Sequence, residues 1–151
     1  MAWTKEKQAT YYRKWHAEHK EERVAYMKEY NFSPRGRAMN MLNGASKRAR
    51  NKKIPFDLTE AWMTEQLRDG VCCRTGIEFD YEPMPKRNQR NPWAPSLDQI
   101  DPSKGYTKAN TQVVIAMYNY AKMTFTDDEV LKMAQSLAST HLVKRFTQQH
   151  N

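Results

Sequence analysis

Five cations fall within seven residues at Lys47, Arg48, Arg50, Lys52 and Lys53, with no acid among them. Cations packed this densely can displace the counterions condensed on a phosphate backbone, so the cluster points to nucleic-acid contact. A second group, Lys86, Arg87 and Arg90, lies in the stretch from Glu82 to Pro95, which contains four prolines. That stretch reads as a loop, either touching a phosphate strand or forming a solvated insertion. The wider charge balance agrees: from Met1 to Pro55 there are 14 Lys/Arg against 5 Asp/Glu, and from Phe56 to Asn151 there are 11 against 12. The whole +8 excess of the chain therefore belongs to its first third, as in a basic arm attached to a nearly neutral core.

The elements that must position these cations follow from periodicity. Thr4 to Tyr30 lacks Gly and Pro and predicts one long basic helix. Its aromatic stripe, with Tyr11, Trp15, Tyr26 and Tyr30, either packs on the core or a second subunit or accompanies Arg13, Lys14, Lys20, Arg23 and Lys28 along DNA. Pro34 and Gly36 make Asn31–Arg37 a hinge, and a second helix follows over Ala38–Lys53. The arm is therefore residues 1–55, and residues 56–151 form the core. In the core, Ile54–Leu58 reads as an extended connector, and Thr59 caps a helix from Glu60 to Asp69 that stops at Gly70. Cys72 and Cys73 read as small strand residues between two turns. Adjacent cysteines rarely bond each other, and no CxxC spacing suggests a zinc ribbon.

From Ala94 onward the pattern is strand (Ala94–Pro102), turn-rich connection (Ser103–Asn110), strand (Thr111–Ile115) and helix (Met117–Met123). This ββα unit is too small to stand alone and must pack on the helices before it. Thr126 and the acids after it begin a further helix, Asp127 to about Thr140. That helix is expected to cover the core with Val130, Leu131, Met133, Ala134 and Leu137, and a polar tail from His141 to Asn151 is expected to fray. The expected fold is thus α+β and mainly helical, with one small ββα core and a long basic N-terminal helix. No apolar run has the length of a signal or membrane segment, so the expectation is an intracellular protein that is neither secreted nor membrane-bound.

The run S-L-D-Q-I-D-P-S-K-G-Y-T-K-A-N-T-Q-V-V, followed by Y-N-Y-A-K, resembles the HNH or His-Me finger (ββα-metal) endonucleases, particularly small phage and homing-type members. The upstream phrases R-A-R-N-K-K-I-P-F-D-L-T and G-V-C-C-R-T-G-I-E-F are similar to what precedes the motif there, so the resemblance spans about Ala45 to Lys122. It implies a metal-dependent DNA endonuclease, nicking or homing-like, acting on double-stranded DNA. By the same resemblance Asp98 and Asn119 would hold Mg²⁺ or Mn²⁺, and Asn110 would tie the loop together. Hard oxygen donors of this kind suit those ions.

One departure stands out. The family carries its general-base histidine at the position of Gln99, and an amide cannot accept a proton usefully near neutral pH. His16, His19, His141 and His150 all lie outside the motif. Asp101, Tyr106 and Tyr118 are the nearest substitutes in sequence. Otherwise Gln99 merely orients a water, or the scaffold is retained only to bind DNA or a host protein. Lys104, Lys108 and Lys122 are expected either to be solvated or to meet phosphates. A homodimer through the N-terminal helix is a further expectation. An RNA-binding helical protein would account for the charge and the aromatics, but it leaves the ββα pattern unexplained.

Overall fold

The computed structural model describes residues 3–84, 86 and 89–149, with side chains up to residue 140. The fold is α+β and mainly helical, with a single two-stranded antiparallel sheet among the described residues.

The expected long N-terminal helix is divided at His19 into α1 (Lys5–Glu18) and α2 (Lys20–Phe32). At the break the His19 ring bonds the Trp15 carbonyl at 2.9 Å, and the His19 backbone N–H bonds the same oxygen. A side chain competing for a helix carbonyl is a recognised way to interrupt the ladder. Neither helix buries a residue, and the aromatic stripe does not join the core: Tyr11, Trp15 and Tyr26 are exposed and Tyr30 is half-buried.

The expected hinge is also shorter than predicted. Helix α3 (Pro34–Lys52) starts inside it, with Pro34 in the first turn and Ser33 as N-cap, accepting from the Gly36 N–H at 3.1 Å. Proline is well tolerated there because its missing N–H would have had no helical partner. The four extra residues bring Arg37 into the helix. Ala38, Ala45 and Ala49 of α3 pack into the core, so this segment of the basic first third is part of the central packing.

Thr59 caps α4 (Glu60–Leu67), which buries Met63 and Leu67, while Gln66 points outward. The expected strand around Cys72 is reduced to one bridge, Val71 to Glu78, which follows Gly70 and encloses the turn at Gly76, both glycines having positive φ. Strand β1 (Pro95–Gln99) pairs with β2 (Thr111–Ile115), placing Asp98 opposite Gln112. Every residue of β2 is buried, with Val113 and Val114 at the centre of the core. Helix α5 (Ala116–Lys122) follows without a loop.

The connection between the strands lies against the segment after α3. Tyr106 donates its N–H to Pro55 O at 2.9 Å, and Asp57 accepts from the Lys108 N–H at 2.7 Å. Gly105 permits this approach. Its φ is +81°, and a Cβ there would stand 2.5 Å from Pro55 O, so a side chain is disfavoured both by strain and by space.

Helix α6 (Asp127–Gln149) opens with a reciprocal cap, Thr126 N–H to Glu129 and Glu129 N–H to Thr126. It is longer than expected and does not cover the core as predicted. Val130 is buried, but Leu131, Met133 and Leu137 are exposed, and Ala134 is exposed too. No described helix is long and apolar enough to cross a membrane.

Candidate nucleic-acid interface

A cleft of about 680 Å³ runs between α3, β1 and α5. Arg37, Met41, Arg48 and Lys52 of α3 form one wall. At 100° per residue they lie within about 60° of one another around the helix, a stripe about 22 Å long. Lys47, Arg50 and Lys53 sit more than about 100° from the midline of that stripe and do not line the cleft. The dense cation cluster of the sequence is therefore divided between two faces, and only Arg48 and Lys52 turn toward the sheet.

Three arginines on the cleft are each held over an aromatic ring. Arg48 lies 5.2 Å from the Tyr106 centroid and donates from Nε to the Tyr106 hydroxyl at 2.8 Å. Arg37 lies 5.8 Å from the Phe32 ring, and Arg90 lies 5.6 Å from the Tyr120 ring and is hydrogen-bonded to its hydroxyl. Such stacking orients a guanidinium while leaving its other donors free. A second cleft of about 930 Å³, with Lys28, Lys86 and one acid, Glu82, on its walls, shares Arg37, Arg90, Pro95, Ser96 and Tyr120 with the first. The two form one cationic groove.

The only acid on the first cleft, among the described residues, is Asp98, and it is neutralised. Asp98 is 3% exposed. Its Oδ1 faces the Lys122 ammonium at 3.2 Å, and its Oδ2 accepts from Gln112 Nε2 at 2.7 Å. Gln112 is itself held by Arg74 Nε at 2.7 Å, and Arg74 pairs with Asp127 at the start of α6. Lys122, expected to be solvated or on a phosphate, is completely buried and reaches neither solvent nor the cleft. The reason is local: the end of β1 supplies the oxygen acceptors that its ammonium needs.

Asp98, Gln99 and Asn119 all line the cleft. Asn119 donates from Nδ2 to Leu97 O at 2.8 Å and to Ser96 Oγ at 2.9 Å, tying α5 to β1. As they stand, these residues do not fit a divalent ion. Both Asp98 oxygens are engaged, and a buried ammonium would repel the ion.

Asn110 lies in the loop. It accepts from the Asp101 N–H at 2.9 Å and donates to Asp101 O and Gly105 O, each at 2.8 Å. Asp101 does not line the cleft. Its carboxylate accepts from the Ser103 hydroxyl and N–H and pairs with Lys104, and these contacts hold its pKa down to about 2. A carboxylate so stabilised is a poor base. Tyr118 also lies off the cleft. Burial, and donation of its hydroxyl to Asp127 at 2.5 Å, raise its pKa above the usual phenol range. Of the three substitutes for the base, only Tyr106 lines the cleft, and its oxygen accepts from Arg48. His16 and His19 belong to the α1–α2 arm and do not line the cleft. His141 and His150 are beyond the described side chains.

Lys104 and Lys108 lie away from the cleft, and Arg87 lies outside the described residues. Sequence reasoning missed Arg37, Gln112 and Arg74. Arg37 gives a signal only if Pro34 is read as a helix start, whereas Gln112 and Arg74 become partners of the site only through strand pairing and folding.

No family model matches the chain, and neither a curated protein nor a solved structure is significantly similar to it.

Proposed function

We propose that this chain binds double-stranded DNA in the cationic groove, on a ββα unit of HNH type, with the phosphate backbone lying along α3. One observation carries the proposal. Three buried side-chain polar atoms lack a hydrogen-bond partner among the described residues, Arg37 Nε, Gln99 Nε2 and Thr111 Oγ1, and the two nitrogen donors belong to side chains on the wall of the same cleft. Buried donors left unpaired are costly, and rotation of either side chain toward the cleft would give its N–H an acceptor there. With Arg48, Lys52 and Arg90 alongside and Asp98 neutralised, the acceptor that fits is an anion, and a phosphodiester supplies both charge and oxygens. The α3 stripe of about 22 Å matches the rise of roughly six base pairs.

The test is fluorescence anisotropy with a labelled duplex of arbitrary sequence at low and moderate salt, beside a single strand and an RNA duplex of equal length. DNA-duplex binding that weakens with salt and falls in an Arg37→Ala/Arg48→Ala variant supports the proposal. Absence of binding at low salt, or binding unaffected by that variant, sinks it.

A second reading, a metal-dependent endonuclease, is favoured by the convergence of Asp98, Gln99 and Asn119 on the same cleft. It requires Lys122 to leave Asp98 so that Mg²⁺ or Mn²⁺ can approach. Incubation with supercoiled plasmid and either ion, beside Asp98→Asn, decides it: cleavage present in the wild type and lost in the variant supports the nuclease.

A further inference from the structure

Lys122 is the most deeply buried charge among the described residues, with none of its side chain exposed. Its Nζ lies 3.2 Å from Asp98 Oδ1, 2.8 Å from Gln99 O and 3.3 Å from Ile100 O. An ammonium has three protons and no acceptor, so these three oxygens satisfy it completely. One carboxylate oxygen and two carbonyls are also the donors that a hard divalent cation takes. The position is therefore a cation site, and the cation is built into the chain.

Neighbouring groups keep it so. Gln112 holds the second oxygen of Asp98, and Arg74 fixes Gln112 from behind. Rotation of Asp98 toward the cleft would break both the ion pair and this bond. Withdrawal of Lys122 would leave a carboxylate buried and unpaired, a strongly disfavoured state. A divalent ion approaching the intact site meets an ammonium already in contact with its intended ligand.

We propose that the Lys122 ammonium is the resident cation of this site, occupying the one carboxylate that the family resemblance assigns to a divalent ion, so that the adjoining cleft binds its phosphodiester without metal. The second half rests on the DNA-binding reading above. The first half does not, and the two can fail separately.

Two measurements on the intact wild-type chain test it. The first is a Mn²⁺ titration followed by electron paramagnetic resonance. The expected result is no stoichiometric binding, whereas one bound Mn²⁺ that disappears in Asp98→Asn overturns the proposal. The second compares duplex anisotropy in EDTA and in Mg²⁺ at matched ionic strength. Affinities within about twofold are expected once counterion effects are equalised, and loss of binding in EDTA overturns the metal-free half. Should the duplex fail to bind in both conditions, the DNA reading falls with that half, and the Mn²⁺ titration still judges the resident cation. A Lys122→Ala variant adds a positive arm: removing the ammonium opens the oxygen cage, and one Mn²⁺ should bind where the wild type binds none. A folded Lys122→Ala chain that gains no Mn²⁺ site counts against the cage.

Discussion

Asn110 and Asp101 exchange two hydrogen bonds, the Asp101 N–H to Asn110 Oδ1 at 2.9 Å and Asn110 Nδ2 to the Asp101 carbonyl at 2.8 Å. A side-chain amide thus pairs with a backbone peptide as a neighbouring strand would, and its second proton reaches Gly105 O. The residue closes the loop between β1 and β2 and fixes where β1 ends, which is where Lys122 finds its acceptors.

Asn110→Ala should therefore cost about 2–4 kcal/mol, since it leaves one buried and two half-buried backbone groups unpaired, at roughly 1–3 kcal/mol for a buried group before relaxation. Asn110→Asp should be no rescue despite its shape. A carboxylate cannot donate to Asp101 O or Gly105 O and would face both oxygens. Urea unfolding of the three chains tests the order, and an Asp variant as stable as wild type would contradict the role of the two donated bonds.

Asp101 gives the loop an acid limit. Its pKa is lowered first by the Ser103 hydroxyl, then by the Ser103 N–H and Lys104, to about 2. A depressed carboxylate stabilises the fold fully above its unfolded value, near 3.9, and that contribution disappears as pH falls toward the folded value. The window is thus about pH 4 down to about pH 2. Carboxyl-carbon NMR should report the low value directly, and in Asp101→Asn the loop amides should lose their acid-side shift over that window. A normal carboxylate midpoint would refute the contact pattern.

The parts legible from sequence are those where local chemistry and tertiary packing agree. The β-branched run marks β2 to the residue, and Thr59 and Thr126 mark their helix starts, because caps and alternation act over a few residues. Pro34 misleads because the same residue breaks a helix from inside and begins one at its first turn; Ser33 as N-cap decides between them. The apolar repeat of α6 reads identically whether a core surface lies opposite it or not, so the exposure of Leu131 and Leu137 leaves no trace in the pattern. Lys122 is hidden for another reason. Lysine is usually solvated, and the three oxygens that bury this one lie 22 to 24 residues earlier in the chain.

The division of the cation cluster makes a prediction that the sequence alone could not. Arg37, Arg48 and Lys52 line the groove, whereas Lys47, Arg50 and Lys53 do not. Alanine at each of the first three should weaken duplex binding and lower the slope of log affinity against log salt by about 0.9 for every phosphate no longer neutralised. Alanine at the second three should have a smaller effect on both. Arg48→Lys should recover only part of the affinity, because the ammonium cannot reproduce the planar stack on Tyr106. Equal losses on both faces would mean that the groove is not the binding surface.

The buried pair itself should be non-additive. Lys122→Met removes the ammonium and leaves Asp98 charged with only Gln112 to answer it, and breaking one half of a buried pair costs about 3–5 kcal/mol. Asp98→Asn strands the ammonium against two carbonyls and should cost a comparable amount. With both changes together no buried charge remains: the amide introduced in place of the Asp98 carboxylate still accepts from Gln112, and the methionine fills the lysine channel. The double variant should therefore be more stable than the sum of the single losses implies, by at least about 2 kcal/mol, because ion pairs replaced by neutral groups of similar volume are often nearly neutral. Chemical denaturation of the four chains closes the cycle. Additive losses would show that Lys122 and Asp98 do not act as one unit, and the internal cation would lose its thermodynamic basis.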